Sequence, residues 1–254
     1  MTAGGSGRRG VRSAVMSEPK LTIERVDDVV VVHLDDGKAN ALSAELIGAV
    51  MSAIDTAEAD PSVAALVLHG RAGRFCAGFD LEVIRGDDLA AVVGLVSDGG
   101  ALVHRLYGSA LPVVAACTGH ALAAGALLLL GCDVRLGADL DCKIGLNEVA
   151  IGLVLPNWAL TIAAERLSPR HLQMAVATAR VTGAHGATEA GFLDEVVPAG
   201  ELLAAAIARA HQMSALDRGA YARTVRALRG PVLDRMEQQI AADRRSLSSP
   251  GAPA

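Results

Sequence analysis

Aromatic residues are scarce: the 254-residue sequence holds three Phe, two Tyr and one Trp, 2% in all. Any core must therefore be built from Ala, Val and Leu, and the 52% hydrophobic content is ample for one. Positive charge is also in deficit. The net charge of -5 argues against a nucleic-acid partner, which calls for a basic face, while a phosphorylated ligand needs only a few local cations. The four cysteines, Cys76, Cys117, Cys132 and Cys142, show no C-x-x-C spacing. Three of them lie in apolar or strand-like stretches, which favours buried free thiols, fits a reducing cytoplasm and indicates no metal site. The longest apolar run, Ala121 to Leu130, falls short of the ~18 residues of a membrane span, so no membrane partner is expected. The first fifteen residues have no apolar centre and do not read as a secretory signal. Residues 1–16 are expected to be a disordered leader.

What remains is an α/β chain. Val29 to Leu34 reads as a strand stopped by Asp35-Asp36-Gly37. Ser43 can cap a helix with Leu42, Leu46, Ala49, Val50, Ala53 and Ala57 on one side. Further strands are expected over 63–68, 112–117, 133–136, 142–144 and 195–197. Residues 70–80 read as a glycine-broken loop, 88–107 as a helix and 121–131 as a buried helix entered through Thr118-Gly119-His120. After Pro156 the pattern is almost wholly helical, with segments near 158–166, 169–179, 184–190, 200–213, 216–228 and 232–245. An α/β core followed by a helical region is the implied order.

Chemistry is concentrated in three segments. Arg71 to Leu81 and Gly119 to Ala126 both run small residues into a helix start, where exposed backbone N–H groups suit an anion or oxyanion. A tight turn or close core packing would explain each equally well. The third, Ile144 to Pro156, carries Glu148 alone in an apolar stretch. Burial there would raise its pKa toward that of a general base, unless a structural ion pair holds it.

In this order, Phe75-Cys76-Ala77-Gly78-Phe79-Asp80-Leu81, Thr118 to Gly125, Cys132-Asp133 and Asn147-Glu148 resemble the signature of the crotonase (enoyl-CoA hydratase/isomerase) superfamily. Asp36 to Leu42 resembles its early CoA-contacting turn, and Thr182-Gly183 through Pro198 its late segment. The resemblance covers about residues 20–215. It implies a crotonase-type spiral of ββα units over 17–200 and a C-terminal helical trimerisation region over 201–254, assembling homotrimers or hexamers. It implies an acyl-CoA thioester substrate, with CoA as part of the substrate rather than a cofactor. It places an oxyanion hole at the N–H groups of Phe79 and Ala124, and CoA contacts at Lys38, Ala39, Leu42, Ala77, Asp80 and Leu81. Fatty-acid β-oxidation is the implied setting. Lys38 reads equally as a solvated lysine, and Arg235, Arg244 and Arg245 either as a solvated face or as partners of a neighbouring subunit's CoA.

Hydratases of this superfamily resemble one another in using two glutamates; Glu148 stands at the second position and Leu127 at the first. Shifting a double bond needs only one base, and Ile144 to Glu148 with Pro156 and Trp158 resembles the single-glutamate Δ3,Δ2-enoyl-CoA isomerases. The implied catalytic residue is Glu148 and the favoured reaction is isomerisation. A hydratase and a non-catalytic acyl-CoA-binding member are the alternatives. His120 is expected to be structural, Asp80 a helix cap, and His69 and His104 ordinary core or surface positions.

Overall fold

The computed structural model describes residues 20–246, so the expected leader and the last eight residues lie outside it. An antiparallel pair comes first, β1 (Leu21–Val26) and β2 (Val29–Leu34). Ser43 accepts a hydrogen bond from the Leu46 N–H at 3.2 Å and starts α1 (Ala44–Ala59), which buries Leu46, Val50, Ala53 and Ala57 as its periodicity predicts. Three further turns follow. The first is β3 (Ala65–His69), β4 (Gly73–Cys76), α2 (Leu81–Ile84) and α3 (Leu89–Tyr107). The second is β5 (Val113–Cys117), β6 (Gly119–Leu122) and α4 (Ala124–Gly131). The third is β7 (Val134–Asp139), β8 (Ile144–Gly145), a 3-10 turn at Val149–Ile151, α5 (Asn157–Arg166), α6 (Pro169–Val176), α7 (Ala184–Ala190) and β9 (Glu195–Pro198). Two helices close the chain, α8 (Leu202–Ser214) and α9 (Arg218–Ser246).

The first two of these turns give one strand to each of two sheets, and the third gives β7 and β9 to one and β8 to the other. The larger has the order β1-β2-β3-β5-β7-β9, parallel throughout except for β1; the smaller is parallel, in the order β4-β6-β8. This is the expected spiral. The larger sheet is apolar on both faces, as buried parallel strands require. Val30, Val32, Leu66 and Leu68 face α1, α3 and α4, and Val29, Val31, Ala65 and Val67 face Leu202, Ala206 and Ala210 of α8. Ala, Val and Leu dominate both clusters, and all four cysteines are free and buried.

Three local expectations are corrected. Residues 73–76 form a strand rather than a loop, and 119–122 form a strand where the sequence suggests the approach to a helix that starts only at Ala124. Pairing in the small sheet overrides weak β propensity in both. The two helices expected over 216–228 and 232–245 are one, with Pro231 inside. Gly230 precedes that proline and has no Cβ to clash with its ring, and α9 is held along its length by α3 and α5. Finally, α3 is long and apolar enough to cross a membrane by length and composition, but it packs against α1, α4 and α9 as a core helix.

Candidate active site

The small sheet determines what meets what. Its strands are parallel, with an irregularity in β4 between Arg74 and Cys76 that sets Cys76 beside Ala121, while Ala121 lies beside Ile144 and Leu122 beside Gly145. The segments that leave their C-terminal ends, 77–80, 123–124 and 146–148, therefore emerge side by side, at the end of a parallel sheet where ligands are commonly held. Gly125 lets α4 press against β4: a Cβ there would lie 2.1 Å from the Cys76 carbonyl oxygen. Gly78, at φ +100°, brings the second loop in, and a Cβ on it would sit 3.6 Å from the Ala124 nitrogen.

The loops that carry the two expected backbone donors, Phe79 and Ala124, meet there. Leu42 donates to the Gly78 carbonyl (2.8 Å) and accepts from the Asp80 N–H (3.0 Å), a parallel bridge that turns the intervening Phe79 N–H the other way. Ala124 is the first residue of α4, and the first N–H groups of a helix have no partner within it. Ala123 just before it has φ 50° and ψ -123°, a conformation that strains any residue with a Cβ by about 1–3 kcal/mol. Such strain persists where surrounding structure enforces it, here the Ala123 N–H bond to the Gly145 carbonyl and the Ala126 N–H bond to the Ala123 carbonyl.

Glu148 follows β8 and leads into the 3-10 turn at Val149–Ile151, its carbonyl accepting from the N–H groups of Ile151 and Leu153. It is 8% exposed, and its Oε2 has no hydrogen-bond partner. Burial raises the carboxyl pKa to about 7, opposed only by the residue's own backbone N–H. Among the described residues no cation pairs with it, so the ion-pair alternative finds no support there. Leu127, on the next turn of α4, is buried in the apolar core.

The segment 36–42 is sewn to the same loop. Asp36 accepts from the N–H groups of Lys38, Asn40 and Ala41. Burial opposes its charge, yet these donors outweigh it and hold its carboxyl below the usual range. Asn40, fully buried, donates to the carbonyls of Leu34 and Phe75, and Ala77 donates to the Ala39 carbonyl at 3.1 Å. Lys38, Ala39, Leu42, Ala77, Asp80 and Leu81 thus lie along one strip. Lys38, Ala77 and Leu81 are exposed on it, Leu42 is buried and ties the loop down, and Asp80 caps α2 through the Glu82 N–H.

The outlying residues sort differently. His120 accepts from the Lys143 N–H at 2.9 Å and is structural. Arg235 and Arg245 are exposed, and Arg244 pairs with Asp98. His104 is partly buried, and burial lowers its pKa. His69 is not isolated: its Nδ1 lies 3.0 Å from the Nδ1 of His33, its register neighbour, and burial with that neighbour lowers its pKa to about 4. Two neighbours of the site carry no sequence signal: Gly99 and Gly100 of α3 are backed by the rings of Phe79 and Trp158.

Comparison with known proteins agrees with this fold. The family model described as enoyl-CoA hydratase/isomerase matches residues 24–253. Human mitochondrial enoyl-CoA delta isomerase 1 is 30% identical over 244 residues, covering 94% of this chain and 79% of that protein. Enoyl-CoA hydratase EchA19 of Mycobacterium tuberculosis is 31% identical over 208 residues, covering 80% of this chain and 77% of that one. The crystal structure of an enoyl-CoA hydratase/isomerase family protein from Pseudomonas syringae superposes with a TM-score of 0.86 at 35% identity, covering 89% of this chain and 97% of that one.

Proposed function

Since the chain belongs to the enoyl-CoA hydratase/isomerase family, we propose that it moves the double bond of a 3-enoyl-CoA to the 2 position, with Glu148 as the only proton carrier. An acyl-CoA thioester is the substrate consistent with that family. The observation that carries the reading is a single buried, unpaired carboxyl with Leu127, an apolar side chain, at the position of a second acid.

The reaction needs no water. The Glu148 carboxylate takes a proton from C2, and the C2–H electron pair delocalises through C1 onto the thioester oxygen, giving a dienolate. The Phe79 and Ala124 N–H groups donate to that oxygen as its charge grows, each such donor contributing about 3–4 kcal/mol to a transition state. Glu148 then returns the proton to C4, the double bond settles between C2 and C3, and the carboxylate is regenerated. A pKa of about 7 suits a group that must accept and release the same proton near neutral pH. The exposed strip from Lys38 to Leu81 would hold the CoA moiety alongside.

The test is a paired assay of a 3-enoyl-CoA and a 2-enoyl-CoA with the wild type and Glu148→Gln. Glu148-dependent isomerisation of the first, faster than hydration of the second, is expected. Efficient hydration would replace this reading with a hydratase, and tight binding without turnover of either ester would replace it with a binding protein.

A further inference from the structure

Two neighbouring strands of the large sheet end in a pair of imidazoles. Alternation along β2 and β3 sends Val29, Val31, Ala65 and Val67 to the face covered by α8, and His33 and His69 continue the same two rows. They are register neighbours, both partly buried, with ring centroids 5.0 Å apart, ring planes at 83° and Nδ1 atoms 3.0 Å apart. Beside them lies a groove of about 950 Å³, lined by both histidines together with Lys20, Thr22, Asp36 and Arg71.

Two ring nitrogens facing each other this closely need a proton or a cation between them, because two lone pairs repel. The surroundings suit a cation. Glu24 Oε2 lies 3.0 Å from the His33 Nε2. When that nitrogen donates to the carboxylate, the His33 Nδ1 carries a lone pair, the arrangement in which a carboxylate orients a metal-binding imidazole. Burial and the neighbouring His33 lower the His69 pKa to about 4, so its ring is neutral at pH 7 and its Nδ1 offers a lone pair once the ring proton sits on Nε2. The positive side chains of the groove are already matched, Lys20 by Glu45 at 2.9 Å and Arg71 by Asp35 at 3.4 Å.

The spacing also selects among ions. Metal–imidazole bonds are about 2.0–2.1 Å long, so nitrogens 3.0 Å apart subtend about 95° at the ion. That is the angle between adjacent ligands of a square-planar or tetragonal centre, whereas a tetrahedral one would hold them about 3.3 Å apart. Among the described residues no group of three or more His, Cys, Asp or Glu forms a closed metal cage, so water would fill the remaining positions.

We propose that His33 and His69 chelate one divalent transition-metal ion through their Nδ1 atoms, Cu²⁺ ahead of Ni²⁺ and Zn²⁺, with Glu24 orienting the first ring. Imidazole suits all three ions, and copper combines the highest affinity with the fitting geometry. The ion clamps β2 to β3 and uses none of the residues assigned to proton transfer, so it stands independently of the isomerase reading.

The full chain is titrated with Cu²⁺ alone, in a non-chelating buffer at pH 7, by calorimetry and electron paramagnetic resonance. One equivalent is expected to bind at least tenfold more tightly than Zn²⁺, with hyperfine splitting from two equatorial nitrogens. His33→Gln and His69→Gln should each weaken binding by about 100-fold, and Glu24→Gln, which leaves both rings in place, by about 10-fold. His185→Gln, at an exposed imidazole elsewhere, should leave binding unchanged. Wild-type affinity in both the His33 and His69 variants overturns the proposal, as does a one-nitrogen spectrum or tighter binding of Zn²⁺ than of Cu²⁺. Should a histidine variant fail to fold, the wild-type spectrum and Glu24→Gln at an exposed position decide: two nitrogens and weakened binding support the site, and unchanged binding in Glu24→Gln removes it.

Discussion

Glu148 and Asp133 both have carboxyls largely withdrawn from water and are treated in opposite ways. The Asp133 side chain is 8% exposed and accepts from the Val113 N–H at 2.7 Å, the Tyr221 hydroxyl at 2.9 Å and the Arg229 guanidinium at 2.5 Å. Arg229 also lies over the Tyr107 ring at 4.6 Å and donates to the Tyr107 carbonyl, so this one acid fastens α9 to the core. Glu148 has no such company. An acid with donors on every side is an anchor that ties its neighbours together. A buried acid without them is left protonatable, which is the condition for carrying a proton. Burial alone does not separate the two; the partners do.

The comparison breaks first at Glu148. Glu148→Gln should lower the isomerisation kcat by about 10²–10⁴-fold with the fold retained, measured against the 3-enoyl ester. Asp133→Asn leaves Arg229 buried without its counter-charge and should destabilise the chain by about 3–5 kcal/mol in denaturant titration, with α9 released first. A smaller contrast lies in pH. The folded-state pKa of Glu148, about 7, is above its ordinary value, so its relative stability is present below the ordinary pKa and lost as pH rises through 7. Glu148→Gln should accordingly match the wild type near pH 4 and exceed it by roughly 3 kcal/mol at pH 8. In the wild type kcat/KM should rise with pH up to about 7 and then level, since the base must be ionised. The smallest effect is at Ala123, where Ala123→Gly relieves the positive φ and should raise stability by about 1 kcal/mol; a loss would mean the methyl group packs usefully.

Much of this was readable from residue patterns. The β-branched run of β2, the Ser43 cap with its periodic helix, and the lone acid in an apolar stretch each announce themselves within a few residues. The strands β4 and β6 do not, because Gly-Arg-Phe-Cys and Gly-His-Ala-Leu become strands only by pairing with each other and with β8. The unbroken α9 was hidden by Pro231, which lacks an N–H for the helix ladder and is tolerated here after Gly230, where the further clash with a preceding Cβ is absent. The Asp133–Arg229 pair spans 96 residues, and the contact of Trp158 with Gly100 spans two separate helices. Long-range pairings of this kind leave no local periodicity to detect.

The four sealed thiols offer one practical benefit. Burial pushes Cys76, Cys117 and Cys132 up to about 12 and raises Cys142 as well, so almost no thiolate exists in the folded chain at neutral pH. A thiol-reactive dye will therefore stay colourless against the native protein and develop only as molecules open. Because Cys76 lies in β4, Cys117 in β5, Cys132 after α4 and Cys142 just before β8, the order in which peptides acquire the label gives a time-stamped record of which turn of the spiral comes apart first.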